Sequence, residues 1–275
     1  MEQGFFHQDT YTWWLNKETT VLFGGIRALL MHTAHPLVAA GARQAATSRC
    51  DPWDRLLRTL SLQLLLPFGT KAEARHAADQ INRLHGVING TDPVTGEGYD
   101  ALDPDLLLWV HACLEVSTVL SYESTVCPLT PHQKQAFHEE NLLAAEMVLL
   151  PRDRVPATYQ GLEDYVEEVI ASDRLLVTDV AREMADLIRS GPVPWHLKPI
   201  WRFFAFAAVG TLPGEVRRLY GFSFGPVRRT LLDGSLRVLK RIRPLLPKSL
   251  RWVLPARIAE RRIHDKDGAM PPPQG

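Results

Sequence analysis

Apolar residues recur every three to four positions along most of this chain, which is the spacing of one face of an α-helix. The clearest stripe follows Thr70 and consists of Ala74, Ala77, Ala78, Ile81, Leu84, His85 and Ile88. Thr70 and Glu73 together form a capping box, so the pattern predicts a helix that begins at Lys71. Gly90 is typical of the position that follows a helix, and we expect the helix to end near it.

Two further helices have recognisable starts. Asp103 followed by Pro104 predicts a helix to about position 124, because an N-cap residue precedes a proline at the first helical position. Thr130 followed by Pro131 repeats this signal for a helix to about position 149. The periodicity also predicts helices at about 17–48, 52–66, 161–189, 198–220 and 226–263.

Signals for β-structure are almost absent, because β-branched residues seldom alternate with polar ones. Asn89-Gly90, a dipeptide common in hairpins, follows a helical pattern here instead of joining two strands. No internal repeat and no shift in composition occurs before residue 225. The sequence therefore predicts a single all-α domain over residues 1–225.

The charges are unevenly distributed, although Lys and Arg balance Asp and Glu at 31 each. Residues 226–263 hold 11 basic side chains against two acidic ones, whereas residues 1–225 hold 19 against 27. We interpret 226–263 as a basic, amphipathic helical tail and 264–275 as a disordered terminus. The tail either packs back on the body or contacts anionic lipid, because leucines interleave with its positive charges. A net charge of zero gives no reason to expect nucleic-acid binding.

The composition is that of a globular protein, with 45% apolar residues. No run of about 18 uncharged apolar residues is present, so a membrane-spanning helix is not expected. No basic and apolar leader typical of a secretory signal is visible. Cys50, Cys113 and Cys127 lack metal-type spacing, and their odd number argues against a disulfide framework. These features favour a cytoplasmic protein.

The segment from position 31 to position 90 contains the residues best suited to a cofactor. His85 lies on the apolar stripe, as either a core residue or a ligand. Arg55, Arg58 and Thr59 follow at the spacing of one helical face, and the fork of an arginine matches a carboxylate. A histidine, apolar walls and clustered guanidinium groups are what haem or another flat, anionic cofactor requires. The alternative is that the arginines form a solvated or ion-paired face with nearby Asp51 and Asp54.

His111 repeats the situation of His85, because it shares the inner face of its helix with Leu107 and Leu114. It is a second candidate ligand or a core residue. His32 and His35 are three residues apart, which could bring two imidazoles to one metal, but the proline that follows disturbs that geometry.

Other reaction classes have little support. The zinc motif HExxH is absent, and Glu73 with His76 is the one Glu-x-x-His motif where a di-iron bundle needs two. No nucleophile elbow, phosphate loop or dinucleotide fingerprint is present.

Together these residues resemble the oxygenase family that includes the rubber oxygenases (latex clearing proteins) and the MpaB-type oxygenases. The resemblance covers about residues 16–220. Its marks are Gly24-Gly25, Ala34-His35-Pro36, Asp51-Pro52 before an Arg-x-x-x-Thr run, Phe68-Gly69, the helix that ends in His85, and Tyr99–Val110 followed by His111-Ala112.

The resemblance implies an all-helical, globin-like fold that holds a b-type haem. It places the proximal iron ligand at His85 and the Arg-x-x-x-Thr pattern at Arg55 and Thr59. Rubber-cleaving members carry lysine where this chain has Arg58, and a guanidinium cannot bind iron as an amine can. They also carry an acidic group one helix earlier, where this chain has Ala39-Ala40-Gly41. Polyisoprene is therefore not the predicted substrate, because abstraction of an allylic proton needs a base.

The sequence thus favours a haem-dependent oxygenase that acts on dioxygen and a small apolar or isoprenoid-like molecule. His85 would bind the iron, while Arg55 and Arg58 would neutralise the propionates or stabilise bound dioxygen. Thr59 would donate a hydrogen bond nearby. The alternative hypothesis is a non-catalytic helical protein that binds haem or an apolar ligand.

Overall fold

The chain folds into helices almost throughout, which confirms the predicted all-α class. The computed structural model describes residues 4–46, 52–191 and 193–267, with backbone only at 46, 52–57, 59–60 and 265–267. The helices are α1 (Tyr11–Asn16), α2 (Val21–His32), α3 (Pro36–Ala46), α4 (Pro52–Phe68), α5 (Lys71–His85), α6 (Pro104–Thr125), α7 (Pro131–Met147), α8 (Tyr159–Ala171), α9 (Asp179–Ser190), α10 (Lys198–Thr211), α11 (Gly214–Leu219), α12 (Pro226–Ile242), α13 (Lys248–Arg251) and α14 (Leu254–Asp267).

The central helix is α6, which packs against α2, α7, α8 and α12. Its apolar residues lie on all sides, as expected of a helix surrounded by others. The closest packing is with α2, where Gly24 meets the α6 backbone. A Cβ at position 24 would lie 2.8 Å from the carbonyl oxygen of Ser117 and 2.9 Å from Oγ of Ser121. A glycine is therefore required at this crossing.

The helix predicted at 17–48 is two helices, α2 and α3, which differ in direction by 114°. Pro36 begins α3. The fixed φ of proline suits the first helical turn, whereas its lack of an N–H would remove a hydrogen-bond donor from a continuing helix. The N–H of Leu176 donates to the carbonyl oxygen of Ala34, 2.9 Å away, and ties this corner to the loop before α9. Among the described residues no single helix is long and apolar enough to span a membrane, although α2 and α3 together meet that test.

The helices predicted at 161–189 and 198–220 are also divided. The first is α8 and α9, because Thr178 caps a new helix by accepting from the N–H of Ala181. The second is α10 and α11, since Pro213 cannot continue the hydrogen bonding of α10.

The helix predicted to end near Gly90 ends earlier, and Asn89-Gly90, predicted to follow a helix and not to join two strands, lies in a strand. The helix ends at His85, and Asn89–Thr91 forms an antiparallel ribbon with Gly98–Asp100, in which Asn89 lies opposite Asp100. The turn that joins the strands is held by the carboxylate of Asp92, which accepts hydrogen bonds from the N–H and hydroxyl of Thr95.

Residues 226–267 pack back on the body as α12, α13 and α14. The N–H of Val253 donates to the carbonyl oxygen of Lys17 over 2.8 Å. The guanidinium of Arg243 binds the carboxylate of Glu18, which is 2% exposed, with Nε 2.9 Å from Oε2. The inner face of the basic segment therefore packs on the body, which was the first of its two interpretations. The last helix, α14, continues to Asp267 through the first residues of the predicted disordered terminus.

Candidate active site

A cavity of about 320 Å³ lies between α2, α4, α5, α6 and α7, and it is called the His85 cavity here. This volume is at the lower end of the range of small-molecule sites, roughly 300–1,000 Å³. Its walls are mostly apolar and include Leu22, Leu62, Leu66, Ile81, Leu107 and Leu114. Such walls exclude water and favour an apolar ligand.

His85 lies at the last position of α5, where the stripe that began at Ala74 meets the cavity. Its side chain is half-buried, and its Nδ1 is buried without a hydrogen-bond partner. An unsatisfied buried polar atom costs about 1–3 kcal/mol, so a ligand at this atom would restore a favourable contact. Burial lowers the pKa of His85 below its ordinary value of 6.5. The imidazole is therefore neutral at neutral pH, which is the form that binds a metal.

His111 lines the same cavity from α6. Its Nε2 lies 3.2 Å from Oε2 of Glu115, one turn along the helix, but the two atoms are not aligned for a hydrogen bond. The structure therefore brings the two histidines predicted as iron ligands, His85 and His111, to one site. It adds a carboxylate that the sequence analysis did not identify.

Glu115 and His138 form a buried charged pair beside His111. The Nδ1 of His138 lies 2.8 Å from Oε1 of Glu115, and its Nε2 lies 2.8 Å from the carbonyl oxygen of Pro156. A carbonyl oxygen can only accept, so Nε2 carries a proton. When the carboxylate is ionised, Nδ1 donates to it as well, and His138 is then an imidazolium.

The pKa values of both groups agree with this assignment. Burial raises the pKa of the Glu115 carboxyl, but the nearby imidazoles of His111 and His138 outweigh burial and hold it below 4.5. Burial lowers the pKa of His138, but Glu115 and the carbonyl of Pro156 outweigh burial and raise it above 6.5. The carboxylate is thus ionised, and its Oε2 makes no hydrogen bond.

A signal for Glu115 was present in the sequence. His111 and Glu115 are four residues apart on an otherwise apolar helix, and this spacing places them on one face. The partner, His138, comes from α7 and has no such signal, because helix periodicity does not tell which helices are neighbours.

The arginine-rich part of α4 is described only in part. The side chains of Arg55 and Thr59 lie outside the described residues. The Arg58 side chain is exposed and is not part of the cavity lining. Their predicted contacts with a cofactor stay predictions. Further along α4, Gln63 and Leu66 form part of the cavity wall.

The remaining candidates lie elsewhere. His32 and His35 do not line the cavity; burial lowers the pKa of each to about 4. Glu73 caps α5 and pairs with Arg262.

Within the described part of the chain, no group of three or more His, Cys, Asp or Glu side chains could hold a metal ion. Burial raises the pKa of Cys113, which argues against a thiolate ligand.

A haem needs one neutral imidazole and apolar walls, and the His85 cavity provides both. The unpartnered nitrogen of His85 is the observation on which this fit depends. Fold and site together define an all-helical protein with a mostly apolar cavity and two histidines, His85 and His111, in its wall.

The chain belongs to the family described as "ER-bound oxygenase mpaB/B'/Rubber oxygenase, catalytic domain", whose model matches residues 12–260. This match confirms the family suggested by the sequence motifs, and it includes most of the basic C-terminal segment. The chain is also similar to the uncharacterized proteins Mb2261 of Mycobacterium bovis and Rv2237 of Mycobacterium tuberculosis. Each is 23% identical over 227 residues, which cover 80% of this chain and 87% of the relative. No solved structure matches the chain.

Proposed function

We propose that this protein is a haem b-dependent oxygenase whose His85 cavity holds the cofactor and admits a small apolar or isoprenoid-like substrate. The observation that carries the proposal is the unpartnered nitrogen of His85 in an apolar wall. Membership of an oxygenase family supports it. When bound, the haem would supply the activation of dioxygen, which amino-acid side chains cannot perform alone.

The residues of the chain have separate roles in this proposal. His85 binds the iron through a neutral ring nitrogen, and His111 is the second candidate for that role. Arg55 and Arg58 pair with the propionates or stabilise bound dioxygen, and Thr59 donates a hydrogen bond beside them. The assignments of Arg55 and Thr59 follow the family pattern, whereas Arg58 stands where the rubber-cleaving members carry lysine. The leucines of the wall hold the substrate and exclude water.

Glu115 supplies the carboxylate that the sequence lacks at positions 39–41. Its Oε1 accepts from His138, and its free Oε2 lies at the cavity beside His111. We assign to Oε2 the role of accepting a proton from the substrate. The charge of His138 keeps this carboxylate ionised inside an apolar wall.

The alternative is a protein that binds haem or an apolar ligand without activity, and Arg58 in place of lysine favours this alternative. Turnover distinguishes the two. The experiment measures dioxygen uptake by the haem-loaded chain with a panel of small alkenes and terpenes. Uptake that depends on an added alkene and is lost in Glu115→Gln supports the oxygenase. Stoichiometric haem without uptake for any member of the panel would favour the binding protein.

We further propose that the outer face of α12 contacts anionic lipid. Its inner face packs on the body through Leu232 and Leu236. The opposite face presents an exposed apolar stripe at helical spacing, namely Val227, Leu231, Val238 and Ile242, and exposed Leu245 follows in the turn after α12. Exposed Arg228, Arg237 and Arg241 flank this stripe. An apolar stripe bordered by arginines matches the interface of an anionic membrane.

A further inference from the structure

Arg27 carries a buried positive charge that has no counterion. The side chain lies on α2 and is 5% exposed. Its Nε donates to the carbonyl oxygen of Thr211 over 3.2 Å, and its Nη1 donates to Oγ of Ser117 over 2.6 Å. Both acceptors are neutral. Among the described residues no carboxylate lies within ion-pair distance of the guanidinium.

This arrangement is unusual, because buried charges in proteins are paired. Burial lowers the pKa of Arg27 to about 10, so the group is still charged at neutral pH. A guanidinium has five N–H donors, and the two hydrogen bonds use two of them. Nη2 makes no hydrogen bond within the described part of the chain, and one N–H of Nη1 is also free. These adjacent donors have the geometry that binds a carboxylate through two parallel hydrogen bonds.

Arg27 lines a cavity of about 710 Å³, called the Arg27 cavity here, which is separate from the His85 cavity. The Arg27 cavity lies between α2, α6 and α8. Its lining is mixed, with polar side chains on one part and apolar side chains on another, among them Val116, Leu120, Val166, Ile170 and Leu219. A ligand that enters would therefore place apolar atoms against these side chains and its polar end at the guanidinium.

The cavity also contains four glutamates, Glu123, Glu163, Glu167 and Glu215. Lys134 pairs with Glu123 over 3.2 Å, and Arg218 pairs with Glu215. Burial raises the pKa of Glu163 above 4.5. Two of the four carboxylates thus have a cationic partner, and none of the four lies within ion-pair distance of Arg27.

We infer that the Arg27 cavity is a second ligand site, which binds an anionic group on an apolar chain, with a carboxylate held by the free Nη donors of Arg27. This site is independent of the haem and of the oxygenase proposal. No residue of the Arg27 cavity lines the His85 cavity.

The test is a calorimetric titration of the full-length protein with decanoate and, as a matched neutral ligand, decanol. We expect decanoate to bind at least about tenfold more tightly, because charge-assisted hydrogen bonds form only with the carboxylate. Arg27→Met should abolish this preference, and Arg27→Lys should keep part of it. His85→Ala should leave it unchanged, which separates this site from the proposed iron ligand.

Two cavity-filling variants locate the ligand and keep Arg27 in place. Ile170→Trp should block decanoate binding in the Arg27 cavity, whereas Ile81→Trp, which narrows the His85 cavity, should not. These variants also decide the matter if Arg27→Met does not fold. Equal affinity for decanoate and decanol would overturn the inference. Binding that survives Ile170→Trp but is lost in Ile81→Trp would overturn it as well.

Discussion

His138 donates a hydrogen bond of 2.8 Å through Nδ1 to Oε1 of Glu115, and neither side chain is more than 2% exposed. The contact joins α6 to α7 at the wall of the His85 cavity. The contact keeps Glu115 ionised and leaves one of its oxygens free. Neither residue belongs to the family motifs found in the sequence.

The Glu115–His138 pair should make stability depend on pH in a defined window. The pKa of Glu115 is lowered from 4.5, so its contribution is present above pH 4.5 and is lost as the pH falls through the folded-state value. The pKa of His138 is raised from 6.5, so its contribution is present below pH 6.5 and is lost as the pH rises through the folded-state value. The pair therefore contributes fully between pH 4.5 and 6.5.

Urea unfolding across this range checks the prediction. The wild-type chain is compared with the double variant Glu115→Gln/His138→Gln, in which neither group titrates. The free energy of unfolding of the wild type, minus that of the double variant, should be largest between pH 4.5 and 6.5. This difference should decrease at lower pH and at higher pH. The single variant His138→Ala should cost about 3–5 kcal/mol, because it leaves a buried carboxylate unpaired. A difference that does not change with pH would contradict the assignment of charges.

Haem binding should depend on His85 and not on its neighbours along the helix. His85→Ala is expected to lose stoichiometric haem, because the cavity then lacks the assigned iron ligand. His76→Ala is the matched control, since His76 lies on the exposed side of the same helix. Titration with haem, followed by absorption, measures both. If His111→Ala loses haem and His85→Ala retains it, the ligand is His111.

Lipid binding should depend on the outer stripe of α12. Val238→Glu should weaken cosedimentation with vesicles of phosphatidylcholine and phosphatidylglycerol, because a charge at this position opposes insertion of the stripe. Val94→Glu is the matched control, as Val94 is exposed to a similar extent, 57% against 56%, in the turn of the ribbon. Equal binding to vesicles of phosphatidylcholine alone would argue against the role of the arginines. If sedimentation velocity shows that the chain associates with itself, the stripe is an interface with a second copy of the chain and not with lipid.

Two adjacent glycines should respond oppositely to the same substitution. Gly24→Ala should destabilise the fold by about 1–3 kcal/mol, because its Cβ would meet the backbone of α6 at 2.8 Å. Gly25→Ala should stabilise it by roughly 0.5–1 kcal/mol, because no atom lies within 4 Å and alanine favours the helix. Thermal unfolding of the two variants checks the pair. Unchanged or higher stability in Gly24→Ala would contradict the described crossing of α2 and α6.

The sequence predicted those features that depend on local signals. The capping box at Thr70 and Glu73 gave the start of α5, and the apolar stripe placed His85 on the inner face of that helix. The corner at Pro36 and the short ribbon at Asn89 were not predicted. Each depends on contacts with distant segments, such as the hydrogen bond from Leu176 to Ala34.

The site was predicted to a similar extent. His85 and His111 were both singled out, and both line one cavity. The pairing of Glu115 with His138 joins residues 23 positions apart on two helices, and a periodic pattern cannot specify which helices meet. The charge of Arg27 was not singled out either, because the absence of a counterion is a property of the packed fold.

The most direct test of the central claim is the absorption spectrum of the purified, haem-supplied protein, first oxidised and then reduced under carbon monoxide. The proposal predicts a strong Soret band, stoichiometric with protein, that shifts when carbon monoxide binds to the reduced iron. A spectrum without a Soret band above the free-haem background would contradict it, and His85 would then be a half-buried residue of a helical protein that binds no haem.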